Sequence, residues 1–252
     1  MPFCADIFYR RYKWEREGFD IPVILLHGGG STHMGWPSEL RRLPGQNIFA
    51  IDLPGHGLSK PPACNTLDGM VNRLNEYFIC MEFFHVILVG FSIGGALALQ
   101  YTSCFPERIR KLALISCGTR FHIPNGIMSY LRPPVNSVKA AEAFSRAAFH
   151  ANTPPASRRK IIEPLVHLEP YVLAADFHMG RVFRAALPEN PVNIPCLFIG
   201  GSDDKISLPQ SIRLLRNFST HTQFDMIEDA GHMVIYEKTR QVRDRLVGFL
   251  GS

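Results

Sequence analysis

"ILVGFSIGGALALQYTS", residues 87–103, changes character halfway. Its first residues are apolar and partly β-branched, as in a buried strand, and from Ala96 onward small and straight-chain residues suit a helix. At the seam stand Gly90, Ser92, Gly94 and Gly95. Gly90-Phe91-Ser92-Ile93-Gly94 fits G-x-S-x-G, in which a sharp strand-to-helix turn lifts a serine hydroxyl off a sheet and the flanking glycines leave room for the neighbouring elements. The plainer alternative is a tight turn with an incidental serine. The strand expected before it and the helix after it are the context the motif requires, and they make Ser92 a candidate nucleophile.

Working outward, strand and helix alternate. "DIFYRRYKWE" reads as an early strand, Gly18 and Asp20 as a turn, and "IPVILLHGGG" as a buried strand running into glycines. "NIFAIDLPGHGLS" is a further strand ending in a turn. Leu67, Met70, Val71, Leu74, Tyr77 and Phe78 then recur at helical spacing. After the Ser92 helix come the strand "RKLALISCG", the strand "IPCLFIGGSDD", a helix over "LPQSIRLLRNF", the strand "TQFDMIED" and a terminal helix near "RQVRDRLVGFL". Near-continuous apolar strands separated by helices predict an α/β fold: a mostly parallel central sheet with helices on both faces and ligands at the carboxyl ends of the strands. From 119 to 190 the alternation stops, and a small helical insertion over that edge is expected, since a structureless loop of this length is improbable.

A serine hydroxyl is a weak nucleophile near neutral pH and needs a base, which in turn needs an orienting acid. His232, in "DAGHMVIYE", follows the last expected strand, and "GGSDDKIS" follows the strand before it. Counting G-x-x-D from Gly201 places Asp204 in the acid position; counting from Gly200 places Asp203 there. Asp204 is preferred. Attack on a carbonyl also needs donors for the developing oxyanion, expected from the backbone N–H groups of Gly29 and Ile93. Asp52 and His56 in "DLPGHGLS" tempt as a second acid–base pair, but both precede the serine, and turn structure is the preferred reading there. No G-x-G-x-x-G or G-K-[ST] supports phosphate binding.

The chain has 252 residues, 46% of them hydrophobic and 19% charged, which is too apolar for disorder and too interrupted by charge for a spanning segment. The amino-terminal stretch lacks the apolar core of a signal peptide, so a cytoplasmic location is expected. The six cysteines, at 4, 64, 80, 104, 117 and 196, form no C-x-x-C pair and no cluster with histidines. They are expected to be reduced, mostly as core filler, with no metal site. A net charge of +5 without a basic stripe gives no support for nucleic-acid binding.

Taken in order, His27-Gly28-Gly29, the "DLPGHGLS" turn, the 90–94 elbow, the G-x-x-D loop and Gly231-His232 resemble the α/β-hydrolase superfamily across nearly the whole chain outside the insertion. Within it the chain resembles compact serine carboxylesterases with a small cap. That resemblance implies a core of residues 1–118 and 191–252, a helical cap of residues 119–190, and hydrolysis of a small-molecule carboxylic ester through an acyl-enzyme without cofactor or metal. Haloalkane dehalogenases and epoxide hydrolases of this fold carry aspartate where this chain has Ser92. Hydroxynitrile lyases carry lysine, and carbon–carbon bond hydrolases often an aromatic, where this chain has Met233.

The cap carries nine Lys/Arg and five Asp/Glu, a net +4 of the chain's +5, and Phe121, Met128, Phe144, Phe177 and Met179 are its candidate pocket-lining residues. A solvated surface is the plain reading of that charge. Docking of an acidic acyl carrier is the sharper one, and it fits a second function, a carrier-protein methyl esterase or thioesterase, through the resemblance to pimeloyl-carrier-protein methyl esterases. A third function, from another class, is a small-molecule receptor of hydrolase fold with slow or no turnover.

Overall fold

The structure, a computed structural model, describes residues 2–13 and 21–251. Its sheet contains β1 (Phe3–Cys4), β2 (Ile7–Lys13), β3 (Val23–Leu26), β4 (Asn47–Ile51), β5 (Val86–Phe91), β6 (Ile109–Ile115), β7 (Cys196–Gly201) and β8 (Thr222–Ile227). They are ordered β1-β2-β4-β3-β5-β6-β7-β8. The pairs β1–β2 and β2–β4 are antiparallel and all the others parallel. Every residue of β3, β5 and β7 is buried. Because successive side chains point to opposite faces, that pattern requires cover on both sides of the sheet, which is why these strands read as unbroken apolar runs.

Helices α1 (Ser38–Arg41), α2 (Leu67–Cys80) and α3 (Ile93–Cys104) precede the insertion, and α8 (Pro209–Arg213), α9 (Val234–Glu237) and α10 (Thr239–Gly251) follow it. In α2 the Thr66 hydroxyl caps the start by accepting from the Gly69 N–H, and the periodic apolar face buries Met70, Val71, Leu74, Tyr77 and Phe78. Helix α3, buried at nearly every position, packs on β5 and β6. The helix expected over 208–218 divides into α8 and a 3₁₀ turn, Leu214–Asn217.

Between β6 and β7 lie α4 (Asn125–Tyr130), α5 (Ser137–Ala148), α6 (Pro155–His167) and α7 (Pro170–Val182), with no strand among the described residues. They share a small apolar cluster of their own, which includes Ile127, Leu131, Leu165, Leu173 and Phe177. The early strand expected over 6–15 is β2 among the described residues; Trp14, Glu15 and the turn expected at Gly18 and Asp20 lie outside them.

The cysteines depart from expectation. Cys4 and Cys80, 76 residues apart in sequence, form a disulfide. Folding β1 back on β2 sets Cys4 beside the last residue of α2, with the two Cα atoms 5.9 Å apart. Cys64, Cys104, Cys117 and Cys196 are free thiols. Of these, Cys117 and Cys196 are the buried filler expected, and burial pushes the Cys196 thiol up to about 12. Among the described residues no His/Cys/Asp/Glu group could hold a metal ion, and no helix is long and apolar enough to cross a membrane.

Candidate active site

Ser92 occupies the turn between β5 and α3 with φ 54° and ψ −120°, a left-handed φ that strains a residue bearing a Cβ. Its N–H donates to the Ile115 carbonyl (2.9 Å), tying the turn to β6. The turn is possible because its neighbours lack side chains. A Cβ on Gly90 would collide with the backbone of Gly94 and Gly95, and one on Gly94 with the carbonyls of Leu26 and His27.

Two later strand-end loops meet this turn. Ser92 Oγ lies 2.8 Å from His232 Nε2, and His232 Nδ1 lies 2.9 Å from Asp204 Oδ2. Since the carboxylate can only accept, Nδ1 carries the proton and Nε2 accepts from the serine hydroxyl. Asp204 is itself fixed, its Oδ1 accepting from the N–H groups of Ile206 and Ser207 at 2.8 Å each. Asp203 is turned outward, where its carboxylate accepts from the Ser202 hydroxyl (2.7 Å) and lies 3.9 Å from His150.

The His232 loop is tied to the end of α5. The Met233 N–H donates to the Ala148 carbonyl (3.1 Å), and the Glu237 carboxylate accepts from the N–H groups of Gly231 and His150, at 2.7 Å each. Phe91, Phe121 and Phe144 pack around the His232 ring at centroid distances of 5.7, 6.4 and 6.3 Å, leaving the residue 1% exposed. The imidazole is therefore largely shielded from solvent, and there its two hydrogen bonds are stronger than in water.

Ser92 and His232 line two cavities. An outer one of about 550 Å³ runs past Ser31, Met34, Lys160, Ile161, Leu165 and Tyr236. An inner one of about 40 Å³ is lined by Phe121, Phe144, Asp176 and Phe177. Of the cap residues singled out in the sequence, Phe121, Phe144 and Phe177 line the inner cavity. Met128 and Met179 line neither: Met179 faces the main core, and Met128 packs against the cap's own apolar cluster.

The glycine loop after β3 borders the inner cavity. Gly29 and Ile93 donate to no acceptor among the described residues, so both N–H groups are free to meet a ligand. The Gly30 N–H is occupied, donating to Asp176 Oδ2 at 2.6 Å. His27 anchors the loop from beneath: its Nε2 accepts from the Leu53 N–H (3.0 Å), which leaves Nδ1–H to donate to the Gly28 carbonyl (2.8 Å). Burial, then the charge of His56, pull the His27 ring down to about 4 and keep it neutral.

The "DLPGHGLS" turn behaves as structure, with one addition. Asp52 holds the backbone and ring of His33 and the Leu58 N–H; it is not hydrogen-bonded to His56. His56 instead reaches the cap, with Nε2 2.8 Å from Asp176 Oδ2 and Nδ1 3.2 Å from the Pro54 carbonyl. A carboxylate and a carbonyl both accept, so both ring nitrogens donate and the ring is an imidazolium. Burial alone lowers its pKa, but the charge and hydrogen bond of Asp176 outweigh burial and hold it above the ordinary value. Asp176 escapes a sequence reading because its partner is 120 residues away. The signal available was a lone acid in the apolar run "YVLAADFHMG".

This fold and site define an α/β-hydrolase. The chain belongs to the alpha/beta hydrolase family, whose model matches residues 23–245. It is 23% identical over 268 aligned residues to the monoacylglycerol lipase ABHD6 of Bos taurus, covering 94% of this chain and 77% of that one. It is 24% identical over 256 to a 2-hydroxy-6-oxononadienedioate/2-hydroxy-6-oxononatrienedioate hydrolase of Paraburkholderia phymatum, covering 91% and 87%. The enol-lactonase of Burkholderia xenovorans superposes with a TM-score of 0.84 at 21% identity, over 98% of this chain and 96% of that one. A thermophilic esterase of Thermogutta terrifontis superposes with 0.81 at 21%, over 97% and 92%.

Proposed function

We propose that the protein is a serine hydrolase that cleaves carboxylic esters through an acyl-enzyme on Ser92, with residues 119–190 acting as a cap over the core. The observation that carries this is the unbroken hydrogen-bond chain from Ser92 Oγ through His232 to Asp204, opening on a cavity. In that reading Ser92 Oγ attacks the ester carbonyl while its proton passes to His232 Nε2, and Asp204 stabilises the imidazolium. The N–H groups of Gly29 and Ile93 receive the oxyanion. The C–O bond to the leaving group then breaks as His232 returns the proton to the departing alcohol. Water, deprotonated by the same nitrogen, attacks the acyl-serine; the acyl C–Oγ bond then breaks as His232 returns that proton to Ser92 Oγ, and the acid is released.

A fluorophosphonate probe tests this by forming a covalent adduct with an activated serine. The adduct is expected on the peptide carrying Ser92, with hydrolysis of p-nitrophenyl butyrate lost in step with labelling. Modification at another serine, or full turnover after Ser92 is blocked, overturns the proposal.

A further inference from the structure

Asp176 is 4% exposed and uses only half of its carboxylate. Oδ2 accepts from the Gly30 N–H and from His56 Nε2, whereas Oδ1 is buried without a hydrogen-bond partner among the described residues. A carboxylate oxygen withdrawn from water and left unpaired is costly. Asp176 lines the inner cavity, whose walls include Gly29, Ser92, Ile93 and His232 and are otherwise apolar. At about 40 Å³ that cavity admits a short fragment of a few heavy atoms, not a long chain.

We infer that Asp176 Oδ1 is a specificity-determining acceptor: it receives a hydrogen bond from a hydroxyl carried on the short part of the substrate that enters the inner cavity beside Ser92. His56 serves this by position. Bonded to Oδ2 and to the Pro54 carbonyl, it fixes the carboxylate and balances its charge, so that an anion can sit next to amides that receive an oxyanion. The inference rests on the ester-hydrolase reading for what happens at Ser92. The hydroxyl could belong to the acyl chain or to a polyol leaving group, since the cavity touches both Ile93 and His232.

Three esters separate the cases: butyl butyrate, butyl 3-hydroxybutyrate and 2-hydroxyethyl butyrate. For the wild-type protein, kcat/KM for one hydroxylated ester is expected to exceed that of butyl butyrate by about ten- to hundredfold, as befits a hydrogen bond to a charged acceptor. The better of the two identifies which side of the ester enters. Asp176→Asn and Asp176→Leu should lower that ratio to near unity in the leucine variant and part of the way in the asparagine variant. A merely structural role would lower all three substrates together and leave the ratio unchanged.

Binding of the same esters to Ser92→Ala, measured by calorimetry, reads Asp176 without turnover. Wild-type protein without preference, or a preference that survives Asp176→Leu, overturns the inference even with Ser92 labelled normally. Discrimination in binding together with failure of Ser92 labelling overturns the hydrolase reading instead, and leaves Asp176 as an acceptor in a binding site.

Discussion

Among the described residues are two buried histidine–carboxylate pairs of nearly equal length, His232–Asp204 at 2.9 Å among the core loops and His56–Asp176 at 2.8 Å on the seam between core and cap. They differ in what faces the second ring nitrogen. For His232 it is the Ser92 hydroxyl, which can give up a proton, so in the proposed mechanism the ring receives one. For His56 it is a carbonyl, which can only accept, so the ring is held charged and has nowhere to pass its proton. In the proposed mechanism the same two side chains thus make a proton carrier in one place and a fixed clamp in the other. One atom's chemistry at the far nitrogen decides which.

The largest test of this contrast is Ser92→Ala, which removes the hydroxyl that distinguishes the two pairs. Ester turnover is expected to fall on the order of 10⁶-fold in kcat. A residual rate within tenfold of wild type would mean that His232 is no more a proton carrier than His56.

Next in size is the acid. Asp204→Asn keeps the shape but favours the wrong imidazole tautomer, and should cost on the order of 10³–10⁴ in kcat. Asp203→Asn, in a side chain turned outward, should cost less than about twofold, as surface changes generally do. Equal losses would mean that neither carboxylate orients His232 as the geometry indicates.

The clamp is sharpened through stability and pH. The His56 pKa lies above its ordinary 6.5, because Asp176 and then the Pro54 carbonyl and Asp52 outweigh burial. Its contribution is therefore fully present below pH 6.5 and is lost as pH rises through the folded-state value. His27, whose ring centroid is 5.1 Å from that of His56, is displaced the other way, to about 4. It is neutral when folded and protonates when unfolded, so its contribution is lost as pH falls from 6.5 toward 4. Asp176→Asn should lower Tm most at and below pH 6.5, with the gap to wild type closing as pH rises. A gap independent of pH would make Asp176–His56 a neutral hydrogen bond, not a charged clamp.

The sequence exposes the His232–Asp204 pair far better than the clamp. Ser92 is marked by glycines that the turn needs for room, Asp204 follows the visible apolar run of β7, and His232 follows β8, where polar and apolar residues alternate over 223–226, so each sits at a strand end that periodicity can locate. The clamp joins a core turn to a cap helix, and no local spacing connects His56 with Asp176. The Cys4–Cys80 bond escapes for the same reason, since each cysteine sits in an ordinary apolar run and only the return of β1 onto β2 brings them together. The aromatics Phe121, Phe144 and Phe177 reach the cavity, while Met128 and Met179 of the same cap do not. Which face of a cap helix looks down is set by tertiary packing, and an apolar residue on either face reads alike.

The smallest expected effect concerns the cap's positive charge, which the sequence treats as one surface and the structure divides. The Arg158 guanidinium donates to the carbonyls of Thr153, His150 and Ala151 at 2.6–2.8 Å, so reversing it would disturb the cap loop before it tested any docking. Arg159 lines a separate groove with Arg146, Arg158, Glu142 and Glu163, where charges of both signs partly offset one another at a distance. Lys160 is the one Lys or Arg among the described residues lining the outer cavity beside Ser92. A single exposed charge steers weakly, and salt screens it with a Debye length of about 10 Å at 0.1 M. Raising ionic strength from 0.01 M to 0.5 M should therefore lower kcat/KM for an ester linked to an acidic carrier about two- to fivefold, and leave a small neutral ester unchanged. Lys160→Glu should reproduce that loss at low salt and remove the remaining salt dependence. If the carrier ester responds to salt but not to Lys160→Glu, the steering field comes from the cap as a whole; if neither substrate responds, the charge is solvated surface and the outer cavity admits its ester without electrostatic guidance.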